Sequence, residues 1–327
     1  NSKLFSLIYN FHIIRKDNFV EVLNNEIEPL DELTMMLRKI MLMPTWLVKL
    51  KIRDTFLKLD SKIYLGDYNR YYREGDTKPE KIGAPIFMHD MFNRFGVVIV
   101  HGYMAAPEEM RHLAEKIYKA GYSVYVVRLR GHGTSPDDLK HAKWQEWNES
   151  VNRGYVIMKN SVSEFAICGF STGAGLALLQ AEKKGEKFKA LISIAAPLRL
   201  QDVRAYLSGA VTVFNSILKK FNMGKKKIEF VPNIPENPDI NYSRNPINGI
   251  YELDKLMKIV DADLDKITIP ALIIQATEDP VVNPESADEI YERIRSTDKK
   301  LVKIKSMRHG IVRGHELKAV SGEIISF

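Results

Sequence analysis

From Gly96 onward the chain repeats one pattern: a short β-branched apolar run, then a longer stretch with apolar residues at three- and four-residue spacing. The runs are GVVIV (96–100), SVYVV (123–127), EFAIC (164–168), ALISI (190–194), ALIIQ (271–275) and LVKIK (301–305). Five are apolar nearly throughout, as strands buried on both faces must be. LVKIK alternates, which suits a strand nearer an edge. Strands separated by helix-length segments predict an α/β fold, a mostly parallel sheet flanked by helices. PEEMRHLAEKIYKAGY (107–122) reads as a helix begun near Pro107 and stopped at Gly121, and STGAGLALLQAEKKG (171–185) as one ending at Gly185.

The alternation divides the chain. Residues 83–200 and 266–327 carry the strand pattern as two parts of one core. Residues 201–265 interrupt it and read as a cap inserted between them. Val203, Leu207, Val211, Phe214, Ile217, Leu218 and Phe221 form one apolar helix face with Gly224 as its stop, and VPNIPENPDINYSRNP (231–246) should be irregular. Residues 1–82 fit neither part. They form an expected helical extension, with candidates at 30–43 and 45–60 on either side of Pro44.

Composition narrows the class. With 327 residues a sizeable core can be buried, and with Cys168 as the only cysteine no disulfide can form within the chain, so a reducing, cytoplasmic setting is compatible. The net charge of +7 is spread among mixed lysine and glutamate, which reads as solvated surface rather than a nucleic-acid footprint. No apolar run reaches the roughly 18 residues of a membrane span. Because the sequence begins at Asn1, an upstream leader or anchor stays open. So does peripheral contact with an anionic bilayer through Lys219, Lys220, Lys225, Lys226 and Lys227 and the apolar amino terminus, beside the plainer reading of a solvated cluster. Oligomeric state is not encoded legibly.

The stretch CGFSTGAG (168–175) lies where a strand ends and a helix begins. Gly169, Ser171 and Gly173 match G-x-S-x-G, whose small residues allow a tight strand-to-helix turn that exposes one serine hydroxyl. A serine is a weak nucleophile at neutral pH and needs a base, itself oriented by a carboxylate. Asp279 follows ALIIQ and His309 follows LVKIK, both at the strand edge where ligands bind in such sheets. Glu278 competes with Asp279 for the acid. An oxyanion also needs two N–H donors. Thr172, opening the helix after the serine, supplies one. Tyr103, in the HGYMAAP loop after GVVIV, supplies the other, with Met104 in reserve. His101 is read as shaping that loop rather than as a base. No metal-ligand cluster or dinucleotide glycine loop is present in the sequence, so no cofactor is expected.

Together VVIVHGYMAAPEEMRHLAEKIYKAGYSVYVVRLRGHGTSPDDL, GFSTG, and DPVVNPESADEIYERI followed by RHG resemble the bacterial carboxylesterase and monoacylglycerol lipase branch of the α/β-hydrolase superfamily, over residues 84–327. The resemblance implies a triad of Ser171, Asp279 and His309, an oxyanion hole flanked by Tyr103 and Thr172, and structural roles for Gly131-His132-Gly133, Trp144 and Trp147. Two features depart from it: Thr172 stands where the family often has an apolar residue, and the long amino-terminal segment is not part of the usual pattern. The expected activity is hydrolysis of carboxylic esters, of short or medium acyl chain or monoacylglycerol-like, through an acyl-enzyme. Thioester or amide cleavage on the same triad, and a non-catalytic binding protein of this fold, are the alternatives.

Overall fold

A computed structural model describes residues 40–199 and 229–327. In chain order its strands are β1 (Ile86–Met88), β2 (Phe95–Val100), β3 (Ser123–Val127), β4 (Glu164–Phe170), β5 (Leu191–Ile194), β6 (Phe230–Pro232), β7 (Arg244–Pro246), β8 (Ala271–Ala276) and β9 (Lys299–Ile304). Seven of them form one sheet in the order β1-β3-β2-β4-β5-β8-β9, with β1 antiparallel to β3 and every other pair parallel. The strand containing LVKIK is at an edge, as its alternation required. The short antiparallel β1 was not among the expected runs.

Side-chain alternation splits the core between the two faces of the sheet. Val98, Val100, Tyr125, Val127 and Ile167 point into one cluster, closed by the helices Trp144–Lys159, Thr172–Lys184 and Ile247–Asp263 through Trp147, Leu176 and Leu256. Val97, Ile99, Val124 and Val126 point into the other, closed by Arg111–Lys119 and Leu317–Ser326 through Leu113, Ile117 and Val320. Each such aliphatic side chain contributes about 1.5–3 kcal/mol on burial. Burying both faces explains why the inner strands tolerate almost no polar residue.

Because β3 and β4 flank β2 on opposite sides, the chain reverses its direction of travel across the sheet there. In register, Val100 lies beside Val127 on one side and Gly169 on the other. The loops after β2 and β4 diverge and leave a crevice above their carboxyl ends, the place where open α/β sheets bind ligands.

The chain divides into two units, Asn1–Lys51 and Ile52–Phe327. Residues 40–42 are helical, and Pro44 precedes a second helix, Thr45–Tyr71, of which residues 52–71 lie in the second unit. The amino-terminal extension is expected from the sequence to end at residue 82; residues 52–82 lie in the second unit. Phe56, Asp60 and Tyr64, four residues apart, share the buried face of the helix. Asp60 accepts the Tyr125 hydroxyl at 2.5 Å and pairs with Arg153, while Asp67 pairs with Arg128 at 2.5 Å. These partners are far away in sequence, so the docking could not be read from the helix alone.

Two further expectations change. The segment 231–246 is not wholly irregular, since β6 and β7 pair antiparallel. Its Tyr242 is buried, donating to the Gly131 carbonyl at 3.0 Å and accepting the Thr134 N–H at 2.8 Å. A helix, Ile247–Asp263, then follows. The expected cap face from Val203 to Phe221 and the five cap lysines lie outside the described residues, as does most of the helix expected at 30–43.

Candidate active site

The serine turn is built by close approach. A Cβ on Gly169 would collide with the Gly173 carbonyl, and one on Gly173 with the carbonyls of Val100 and His101. Only glycine fits at either place, which brings the helix Thr172–Lys184 hard against β2 and β4. Ser171 is left at φ 53°, ψ −123°, a strained conformation for a residue with a side chain. Its N–H is anchored on the Ile194 carbonyl at 2.9 Å, and its side chain is presented at the carboxyl edge of the sheet.

Three side chains predicted from sequence meet there. Ser171 Oγ is 2.9 Å from His309 Nε2, and His309 Nδ1 is 2.8 Å from Asp279 Oδ2. Asp279 is fully buried. Burial alone would raise its carboxyl pKa, but the hydrogen bond and charge of His309 and the N–H groups of Val282 and Val281 outweigh burial and hold it below its ordinary value. The ionised carboxylate can only accept, so His309 Nδ1 carries the hydrogen and Nε2 is left to accept from the serine hydroxyl. Glu278, the competitor, is exposed. Gln275 was not singled out from sequence; its Nε2 donates to Asp279 Oδ2 at 3.1 Å. A lone amide ending the apolar run ALIIQ was the available signal.

His309 sits on a pinned loop. Its neighbour Arg308 pairs with Glu236, and the Gly310 N–H donates to Glu236 Oε2 at 3.1 Å. The Phe170 ring packs on the imidazole at 5.0 Å between centroids.

Beside the serine, the loop after β2 is held by a buried histidine. His101 Nε2 accepts the Leu129 N–H at 3.2 Å, so Nδ1 carries the hydrogen and donates to the Gly102 carbonyl at 2.8 Å. Burial pushes the imidazole down to about 4, which keeps it neutral. A trans peptide sends its C=O and N–H in opposite directions. Fixing the Gly102 carbonyl therefore fixes the Tyr103 N–H on the same peptide. Met104, next along, has φ 58°. Thr172 opens its helix, where N–H groups have no intrahelical acceptor. The neighbouring Gly131-His132-Gly133 turn has both glycines at positive φ, and His132 packs edge-on against Trp147, which is fully buried. Trp144 is half-buried, with the Lys183 ammonium over its ring.

These groups open into a cleft of about 420 Å³. Tyr103, Met104 and Phe170 give it apolar surface, and Glu109, Asn241 and Arg313 give it a polar wall. Among the described residues no group of three or more His, Cys, Asp or Glu could hold a metal ion, and no helix is long and apolar enough to cross a membrane. A hydroxyl on an imidazole, with a buried carboxylate behind it and backbone donors alongside, is equipped for nucleophilic attack on a carbonyl.

Comparison with known proteins agrees with the fold and the chemistry. The chain is 32% identical to a thermostable monoacylglycerol lipase of Bacillus sp. (strain H-257) over 217 residues, 65% of this chain and 82% of that one. It is 26% identical to a carboxylesterase of Bacillus subtilis (strain 168), covering 71% and 91% of the two chains. A solved structure described under LipS and LipT, two metagenome-derived lipolytic enzymes, superposes with a TM-score of 0.65 at 26% identity, covering 74% of this chain and 96% of that one. The family described as Hydrolase_4, serine aminopeptidase, S33, matches residues 93–316, and the chain belongs to that family as an esterase- or lipase-like α/β-hydrolase.

Proposed function

We propose that Ser171 is the nucleophile of a carboxylic-ester hydrolase, with His309 as its base and Asp279 as the group that orients His309. Ser171 Oγ attacks the ester carbonyl while His309 Nε2 takes its proton, then returns that proton to the leaving alcohol. Water enters, is deprotonated by the same nitrogen, and releases the acyl group from Oγ. The N–H groups of Tyr103 and Thr172 receive the oxyanion, the second at a helix start where the dipole favours negative charge. The observation that carries this reading is the unbroken hydrogen-bonded chain from Asp279 through His309 to Ser171.

The substrate class is an ester with an aliphatic acyl chain, including monoacylglycerol-like lipids. Its support is the cleft's mixed lining and the activities named for the two Bacillus relatives. A fluorophosphonate probe should label the protein and fail to label Ser171→Ala, which should also lose on the order of 10⁴-fold in nitrophenyl-ester turnover. Undiminished hydrolysis by that variant in a contaminant-free preparation would refute the assignment.

A further inference from the structure

Glu109 lies on the wall of the cleft that holds Ser171 and His309, and the reaction above gives it no task. It comes from the short 3-10 turn Pro107–Met110 and is only 8% exposed. Its Oε2 accepts the Gly102 N–H at 3.1 Å, and Asn241 lines the same cleft. Among the described residues no cation pairs with it. Arg308 is engaged by Glu236 and Glu316, and Arg313 acts on Glu109 only at longer range. Burial pushes the Glu109 carboxyl up to about 7, against the pull of the Gly102 N–H, His309, Asn241 and Arg313. Its one hydrogen-bond donor among the described residues is the Gly102 N–H. The carboxyl faces the place where the products form.

We propose that Glu109 expels product: in its ionised form it is a negative charge in the cleft that loosens the carboxylate released at each turnover while sparing neutral ester. The proposal rests on the ester-hydrolase reading, because that reaction creates an anion from a neutral substrate. Charge balance shows where the effect falls. The ester and the resting site are neutral at the reacting atoms. In the tetrahedral stage the oxyanion forms together with the His309 imidazolium, so the reacting groups remain neutral overall. In the last step the C–Oγ bond breaks and His309 returns its proton to Oγ. The acid, R-COOH, then loses its proton to solvent, since a free carboxylic acid ionises near pH 4. Only at that point does the cleft hold a net charge of its own making. Like charges that share one partly buried cleft are worth on the order of 10-fold in affinity. Repulsion by Glu109 therefore weakens the product, with much smaller effects on ester and transition state.

The experiment compares hexanoate with hexanamide, one charged and one neutral at equal chain length, by titration calorimetry at pH 8. Hexanoate should bind the unmodified protein more weakly than hexanamide. In Glu109→Gln, which keeps an oxygen for the Gly102 N–H, hexanoate should gain on the order of 10-fold relative to hexanamide. Glu109→Asp, which keeps the charge, should retain the unmodified ratio. An equal ratio in protein and Gln variant would overturn the proposal, as would tighter binding of hexanoate than hexanamide by the unmodified protein should the variant not fold. Calorimetry does not depend on turnover, so a failed fluorophosphonate label would count against the hydrolase reading and leave this ratio to judge Glu109.

Discussion

Asp279→Asn is the sharpest perturbation of the proposed mechanism, because the change is isosteric and its effect follows from counting donors. The carboxylate accepts four hydrogen bonds. Oδ1 takes the N–H groups of Val281 and Val282 at 2.8 and 3.0 Å, and Oδ2 takes Gln275 Nε2 at 3.1 Å and His309 Nδ1 at 2.8 Å. An asparagine has one oxygen, and the two backbone donors cannot move without unmaking the turn. The oxygen therefore stays on them, and the NH₂ group faces His309. A donor opposite Nδ1 selects the other tautomer, with the hydrogen on Nε2, where it meets the Ser171 hydroxyl. The base is then blocked in its ground state although every atom is in place. Wrong-tautomer loss of this kind is about 10⁴-fold in kcat, or about 5.5 kcal/mol of barrier. Glu278→Gln, at an exposed neighbour, should change kcat less than about 3-fold, the scale of a surface substitution. Steady-state kinetics on a nitrophenyl ester, with fluorophosphonate labelling rates alongside, checks both. If Asp279→Asn keeps activity within about 10-fold of the unmodified protein, the tautomer argument is wrong.

The remaining predictions concern stability. Gly173→Ala should lower the thermal midpoint by several degrees, since its Cβ would come within 2.6 Å of the His101 carbonyl and closer still to that of Val100, an overpacking worth about 1–3 kcal/mol; an unchanged midpoint would show that the turn can relax. Between about pH 4 and 7 two buried groups should act in opposite directions. The His101 imidazole is held down to about 4, so its contribution is present above its unfolded value of about 6.5 and lost as pH falls toward 4. The Glu109 carboxyl is held up to about 7, so its contribution is present below about 4.3 and lost as pH rises through 7. Glu109→Gln removes the second term alone, and its urea midpoint should rise more steeply from pH 5 to 7 than that of the unmodified protein; parallel curves would contradict the assignment.

What the sequence made legible was local chemistry in a regular frame. Inner strands announce themselves because burial on both faces leaves runs such as GVVIV, and the serine turn because only glycine fits at 169 and 173. The order Ser171, Asp279, His309 was readable because each follows a run that could be recognised. Other parts gave no such signal. β1 is three residues long, too short for any periodicity. β6 and β7 are equally short and lie among prolines and asparagines that read as irregular. The site groups that were missed act across distance. Glu109 reads as the acidic first turn of a helix, and only folding sets its carboxyl on the Gly102 N–H in the cleft. Docking of residues 52–71 depends on Arg128 and Arg153, far along the chain, and so could not be inferred from the amino-terminal helix itself.

Backbone strain is distributed in a way that ties the fold to the chemistry. Among the described residues the non-glycine positions at positive φ are Met104, Ser171 and Ala195, at 58°, 53° and 49°. Ser171 and Ala195 follow directly on β4 and β5, and Met104 lies in the loop after β2. These strands are consecutive neighbours in the sheet. Each such residue costs on the order of 1–3 kcal/mol and persists only where its surroundings over-determine it. Here the surroundings are the strand registers below and fixed hydrogen bonds above: Ser171 N–H on Ile194, Ala195 N–H on Ile274, and the Gly102 carbonyl on His101. The apolar sheet thus holds the segments leaving three adjacent strands in conformations they would not adopt alone. The serine hydroxyl and the N–H of Tyr103, the proposed oxyanion donor, are in that way positioned before any substrate arrives, which is the condition under which such donors stabilise a transition state without reorganising.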